Sequence, residues 1–334
     1  MVSPNSLNLR AERSEPARRA QTKRGHQSNL LLLFLIFLYG CSSASRSASP
    51  TPVAVAESTL TPTPSPTQTQ TAVPGFVLKI RNAGYQLGLT DALRVVQLTD
   101  GKFEQGAPGD NDFASIFVTD FIARGDLDGD EVNEVAALVA ENYGGTGVFV
   151  FLAVYADVAG TPVFQTSILV DDRPQLNAIS IEDNEIFLDT TTHGFEDPLC
   201  CPTLKTTRHY RLADGQLDMT DYTTFTPDGK PRTITISSPT PGTEVYRSIQ
   251  IKGSVAIAPF ENNLVYRIYD LGSVELAAGA ISVSAPNPGA PGTFDAIIPL
   301  GNILSRAVIR LEVQDLNAAD GSLFAMDSVE LVVK

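Results

Sequence analysis

Two short constellations carry the residue types that do chemistry. Asp126, Asp128, Asp130 and Glu134 stand at positions 1, 3, 5 and 9 of a loop, with Val132 at position 7. Alternate side chains of a tight loop converge, and a hard cation such as calcium takes several oxygen ligands at about 2.3–2.6 Å, a backbone carbonyl serving at position 7. The same pattern suits a solvated acidic turn in which Asp side chains cap backbone N–H groups. Both readings stay open on sequence; calcium, where bound, is expected at extracellular affinity, about 0.1–1 mM. The second constellation is the pair Cys200 and Cys201, with His193 seven residues before it and His209 eight after it. Adjacent cysteines leave three choices: a vicinal disulfide, two buried thiols, or soft-metal ligation with the histidines. Zinc sites separate their cysteines by two to four residues, and an oxidising compartment disfavours free thiols, so the vicinal disulfide is the favoured reading.

The acidic loop resembles the calcium hairpins of integrin-type propeller repeats more than a helical calcium hand, because position 12 is Ala137, which has no carboxylate. Glu131 occupies the position where such loops usually place Gly. The Gly-rich stretch at 142–147 lacks the Lys of a phosphate-binding loop and reads as a hairpin turn. No Gly-x-Ser-x-Gly elbow occurs, and beyond residue 40 the histidines are His193 and His209, so nucleophilic catalysis finds little support and the protein is read as a non-enzyme.

Charge and hydropathy divide the 334 residues unevenly. The first 40 hold six basic and two acidic residues, which leaves 18 basic against 36 acidic in the rest. So acidic a chain lacks the basic footprint that nucleic acid or an anionic bilayer surface requires. Residues 30–39 form one apolar run, too short for a membrane span of about 20 residues but suited to a signal-peptide core. The segment Leu38, Tyr39, Gly40, Cys41 that follows resembles a bacterial lipobox, which implies diacylation of Cys41 on sulfur and cleavage before it. Ser42 in place of Asp implies, by the same resemblance, export to an outer membrane where one exists. Residues 41–74 then form a tether: 20 of the 33 residues from Ser42 to Pro74 are Ser, Thr or Pro. A stretch of that composition cannot offset the entropy of ordering it, and its Pro-rich part favours an extended chain.

The elements that must position the two constellations are short β-rich runs bounded by Asp-Gly, Gly-Gly and Pro turns. Strands are expected at 76–80, 93–98, 115–123, 148–155, 163–170, 178–182, 185–189 and 206–212, with hairpin turns at Asp100-Gly101 and Asp214-Gly215. The segment 131–140 reads equally as helix or strand. This describes a β-rich domain over 75–226. After a turn-rich boundary, seven alternating runs at 233–237, 249–256, 264–269, 274–278, 293–299, 307–313 and 328–333 describe an immunoglobulin-like β-sandwich over 231–334. The fold class is therefore mainly β, and the sandwich, which contains no Cys, rests on apolar packing alone.

Within 231–334, Ser238-Pro239 and Gly242 before Val245, the run Ile251-Lys252-Gly253-Ser254-Val255-Ala256, the run Phe260-Glu261-Asn262-Asn263-Leu264 leading to Tyr266-Arg267 and Asp270, and Gly292-Thr293-Phe294 stand in order. This part resembles the immunoglobulin-like domain of bacterial sporulation and spore-germination proteins. The resemblance implies a non-catalytic, extracytoplasmic module that also occurs in cell-surface lipoproteins. Taken with the leader and the tether, it leads to the expectation of a lipid-anchored envelope protein that binds or scaffolds an envelope or extracellular partner. The alternative is a metal-dependent enzyme or metal carrier using the 75–226 domain.

Overall fold

The computed structural model describes residues 75–89, 94–301 and 307–334. The chain is mainly β: among the described residues one six-residue α-helix, α1 (Gly75–Ile80), precedes twenty strands. In the first part these are β1 (Gly84–Gln86), β2 (Val95–Gln97), β3 (Lys102–Gln105), β4 (Ala114–Gly125), β5 (Glu134–Asn142), β6 (Phe149–Val158), β7 (Thr161–Asp172), β8 (Gln175–Glu182), β9 (Glu185–Thr192), β10 (Leu204–Ala213) and β11 (Gln216–Phe225). The second part holds β12 (Pro231–Arg232), β13 (Ile234–Ser238), β14 (Thr243–Val245), β15 (Ser248–Val255), β16 (Asn263–Asp270), β17 (Glu275–Ser282), β18 (Gly292–Pro299), β19 (Val308–Leu316) and β20 (Leu323–Val333).

The run at 76–80, expected as a strand, is helical. Phe76, Val77 and Ile80 are buried while Leu78 is exposed. That spacing follows the 3.6-residue period of a helix and not the two-residue alternation of a strand. The ambiguous segment at 131–140 resolves into β5, and its ambiguity has a physical cause. Val135, Ala137 and Val139 face one core, with Ile80, Tyr85 and Leu98. Ala136, Leu138 and Ala140 face another, with Ile186, Leu188 and Tyr210. A strand buried on both faces shows no alternation, so periodicity cannot separate it from a buried helix. The sheet β3-β4-β5-β6-β7 is accordingly the middle of three layers, with α1, β1 and β2 on one side and β8 to β11 on the other.

At both Asp-Gly turns the two residues have positive φ: Asp100 and Gly101 at 51° and 82°, Asp214 and Gly215 at 49° and 74°. This is the backbone that matches strand twist in a two-residue hairpin. Asp183 and Asn184 do the same between β8 and β9. In the second part, β13-β15-β18 pack on the β17-β16-β19-β20 portion of a larger sheet around Ile249, Ile251, Leu264, Leu311 and Leu331. That makes the immunoglobulin-like sandwich. Its strands include a short one absent from the sequence reading, β14, which pairs in parallel with β20.

The larger sheet does not stop at the boundary between the two parts. Its order is β17-β16-β19-β20-β11-β10-β9-β8, so β11 of the first part pairs antiparallel with β20 of the second. Residues paired across a ladder share a face. Tyr222, opposite Met326, is also opposite Arg208, whose side chain reaches Val170 of the middle sheet. Thr223, one residue on, lies opposite Ala325 of the second core. One continuous sheet is thus covered on one face in its first half and on the other in its second. The turn-rich boundary is a tight hairpin, in which Thr226 N donates to Lys230 O at 2.9 Å and β12 returns alongside β11.

Candidate functional site

The acidic loop joins β4 to β5 at the edge of the middle sheet. Gly125 ends β4 because the chain passes close to β8 there; a Cβ at this position would lie 2.4 Å from Ile181 Cγ2. The loop is tied from within. Asp126 accepts from Gly129 N at 2.7 Å and from Glu131 N at 3.1 Å, Asp128 from Asp130 N at 3.2 Å, and Asp130 from Val132 N at 2.7 Å. From outside, Asn184 of the β8–β9 turn donates to Asp126 O at 3.0 Å. Glu131 takes φ +68°, the left-handed conformation for which Gly is usual at this position, and the hydrogen bond to Asp126 holds it there.

Asp126, Asp128 and Asp130 each present one carboxylate oxygen within 4.8 Å of the others. Among the described residues no Lys, Arg or His forms an ion pair with any of the three. Every carboxylate oxygen has two lone pairs, so the backbone hydrogen bonds leave capacity for a cation. Glu134 is not part of this convergent group. It is 4% exposed and its Oε2 accepts from Leu127 N at 2.8 Å. Burial, with Asp128 and Asp130 nearby, raises its carboxyl above the ordinary range, against the lowering effect of the Leu127 hydrogen bond. Val132 contributes its N–H to the loop, and its side chain is exposed.

Cys200 and Cys201 are joined to each other by a disulfide. They sit in the loop between β9 and β10, which Asp197 organises by accepting from Gly194 N at 2.8 Å, Thr203 N at 2.7 Å and Thr203 Oγ1 at 2.8 Å. These bonds, that from Gly194 first, hold the Asp197 carboxyl below its usual range. The flanking histidines go elsewhere. His193 lies between Asp171, 3.1 Å from Nδ1, and Leu199 O, 3.2 Å from Nε2. His209 is on β10 with Nδ1 3.2 Å from Glu185 Oε2, and that hydrogen bond raises its pKa. The Gly-rich stretch at 142–147 is a turn folded on Asn142, whose Nδ2 donates to Gly145 O and Gly147 O. Cys41, expected to carry the lipid, lies outside the described residues, as do the signal segment and the tether.

Two features carried no sequence signal. Glu141, at the end of β5, is fully buried and accepts from Tyr85 Oη at 2.6 Å, Gly88 N at 2.9 Å and Tyr143 Oη at 2.8 Å. Burial and the adjacent Glu141 push both phenols up. Where β11 meets β20, the side chains of Glu185, His209, Asp221 and Asp327 gather, two of them acids in register across the ladder. A lone Glu in an apolar strand and acids at distant positions look, in sequence, like any surface carboxylates.

With this geometry in place, comparison with known proteins adds one match. Residues 233–322 match the family model of the immunoglobulin-like domain of bacterial spore germination. The matched stretch runs from β13 into the β19–β20 turn. Comparison with curated proteins finds no match.

Proposed function

We propose that this protein is a non-catalytic binding or scaffolding module of a bacterial cell envelope, anchored by lipid on Cys41 and carried on the tether of residues 41–74. The observation that carries the reading is the match of residues 233–322 to an immunoglobulin-like domain of spore germination, which fits a binding or scaffolding role. The sheet running from β8 to β17 supports it physically. Because β11 and β20 share a ladder, the first part and the sandwich present their surfaces as one body, so a partner that spans both meets a preformed face. The acidic loop at Asp126, Asp128 and Asp130, tied to the β8–β9 turn through Asn184, adds a calcium site, a stabilising ion with no chemical step assigned to it.

Anchoring has a direct test. Replacing Cys41 by Ala should move the protein from the membrane fraction to the soluble fraction, since the apolar run at 30–39 is too short to hold it in a bilayer. Detergent-phase partitioning that the substitution leaves unchanged would reject the lipid anchor. Crosslinking on intact envelopes, followed by mass spectrometry, identifies the partner.

A further inference from the structure

A cleft of about 440 Å³ opens where the three-layered first part meets the β19–β20 turn of the sandwich. Its walls are mostly apolar: Ile168 and Leu169 of β7, Tyr210 and Met219 from β10 and β11, and Phe324 of β20. Into this setting β10 places Arg208, which is 8% exposed. Its Nη1 donates to Val170 O at 3.1 Å, its guanidinium carbon lies 5.4 Å from the centre of the Tyr222 ring, and its Nε is buried without an acceptor. Among the described residues no carboxylate stands within ion-pair distance of it.

The other buried arginine shows what is missing. Arg310 is equally shielded, and its Nε and Nη1 also lack aligned hydrogen bonds, yet Nη1 lies 2.6 Å from Asp218 and Nε 3.2 Å from Glu312, so its charge is compensated where that of Arg208 is not. Asp171, the acid whose charge reaches Arg208 from outside the cleft, is already engaged: its Oδ2 takes His193 N and faces Nδ1, and its Oδ1 takes Asp172 N. A guanidinium withdrawn from water needs a charged acceptor to offset its lost hydration, and a carboxylate matches its fork of donors. One guanidinium among apolar walls fits a monoanion with an apolar body; a phosphate carries more charge and asks for more donors than this cleft supplies.

We infer that this cleft binds a small organic carboxylate with an apolar body, its carboxylate on Arg208 and its body against Tyr222, Ile168 and Phe324. The volume lies within the range of small-ligand pockets, about 300–1,000 Å³, and the position at a domain junction is a usual one for them. The inference goes beyond envelope anchoring and does not depend on it.

The test is calorimetric titration of the purified full chain with 4-phenylbutyrate and with octanoate, set against 4-phenylbutan-1-ol and inorganic phosphate. At least one carboxylate should bind, the alcohol about tenfold more weakly or worse, and phosphate not at all. Arg208→Gln should weaken carboxylate binding about tenfold, with Arg208→Lys recovering part of it. Because Arg208 is buried, a second variant approaches from the other domain: Ser322→Trp, at an exposed rim position, should obstruct the cleft and weaken binding while Arg208 stays in place. Failure of both carboxylates to bind, equal binding of acid and alcohol, or affinity unchanged in Ser322→Trp overturns the proposal and leaves water as the partner of the guanidinium.

Discussion

Asp221 of β11 and Asp327 of β20 stand directly opposite each other in the ladder that joins the first part and the sandwich through one sheet. Like charges in register across a ladder oppose pairing. The two acids are served unequally. Asp327 Oδ2 accepts from Ile236 N at 2.6 Å and Oδ1 from Ser328 N at 2.8 Å, although burial still raises its pKa. Asp221 is pushed up to about 6 by burial and by the Asp327 charge, while His209, its partner on β10, works the other way and Glu185 adds to the rise.

That asymmetry gives a signed pH dependence. Between the ordinary carboxyl pKa and about 6, folded Asp221 holds its proton more tightly than the unfolded chain does, so this group's contribution to stability falls as pH rises through the window. The raised pKa of His209 acts in the same sense, its contribution lost as pH rises through its folded value. Asp221→Asn should therefore stabilise the protein by about 2 kcal/mol at pH about 8 and leave it unchanged at pH about 4. Denaturant unfolding at the two pH values measures this. A variant less stable than the parent at the higher pH would show that the ionised pair is held by contacts that outweigh its repulsion.

How much of this was legible in the sequence depends on what each strand faces. In the second part, strands such as β15, with buried Ile249, Ile251 and Val255 between exposed neighbours, alternate and are readable. Strand β5 is buried on both faces and loses its period. Strand β11 was missed because its run of Asp218, Thr220, Asp221, Thr223 and Thr224 reads as polar loop. Those residues are in fact buried or half-buried at the junction, where Thr224 Oγ1 donates to Phe324 O at 2.7 Å and Ser328 Oγ to Thr220 O at 2.9 Å. A junction built by residues about a hundred positions apart has no local signature. The three converging carboxylates of the acidic loop were legible because they lie within five residues; the Arg208 cleft was not, because strands and loops from both parts of the chain make it.

For that acidic loop, free calcium at roughly ten times its dissociation constant should raise stability by about 1.4 kcal/mol by mass action. Asp128→Ala removes one of three converging oxygens and should abolish the increment, while in chelator the variant and the parent should differ little, since Asp128 is exposed and makes one short-range hydrogen bond. Equal thermal midpoints of the parent in calcium and in chelator would assign the three carboxylates to backbone capping alone.

Glu141 offers a comparison of two donors to one acid. Tyr85, fully buried, and Tyr143, half-buried, each donate a phenol to it. Removing the first leaves a buried carboxylate short of a donor that water cannot replace. Tyr85→Phe should cost about 2–3 kcal/mol and Tyr143→Phe about 1 kcal/mol. Equal losses in chemical denaturation would show that water reaches Glu141 from the Tyr85 side.

The last prediction concerns Cys200 and Cys201. A bridge between neighbouring residues closes no length of chain, so it removes almost nothing from the entropy of the unfolded state, and the loop around it is already held by Asp197. Reduction should accordingly lower the unfolding free energy little, by less than about 1 kcal/mol, even though the bond is present. Its presence is read separately by counting labels in a Cys41→Ser background, where these are the two remaining cysteines. Denatured without reductant, the chain should take no thiol label; after reduction it should take two. Two labels without reduction would show that the thiols are free in solution. A large loss of stability on reduction would show that the bridge, and not Asp197, sets the conformation of the loop that forms one lip of the Arg208 cleft through His193 and Phe195.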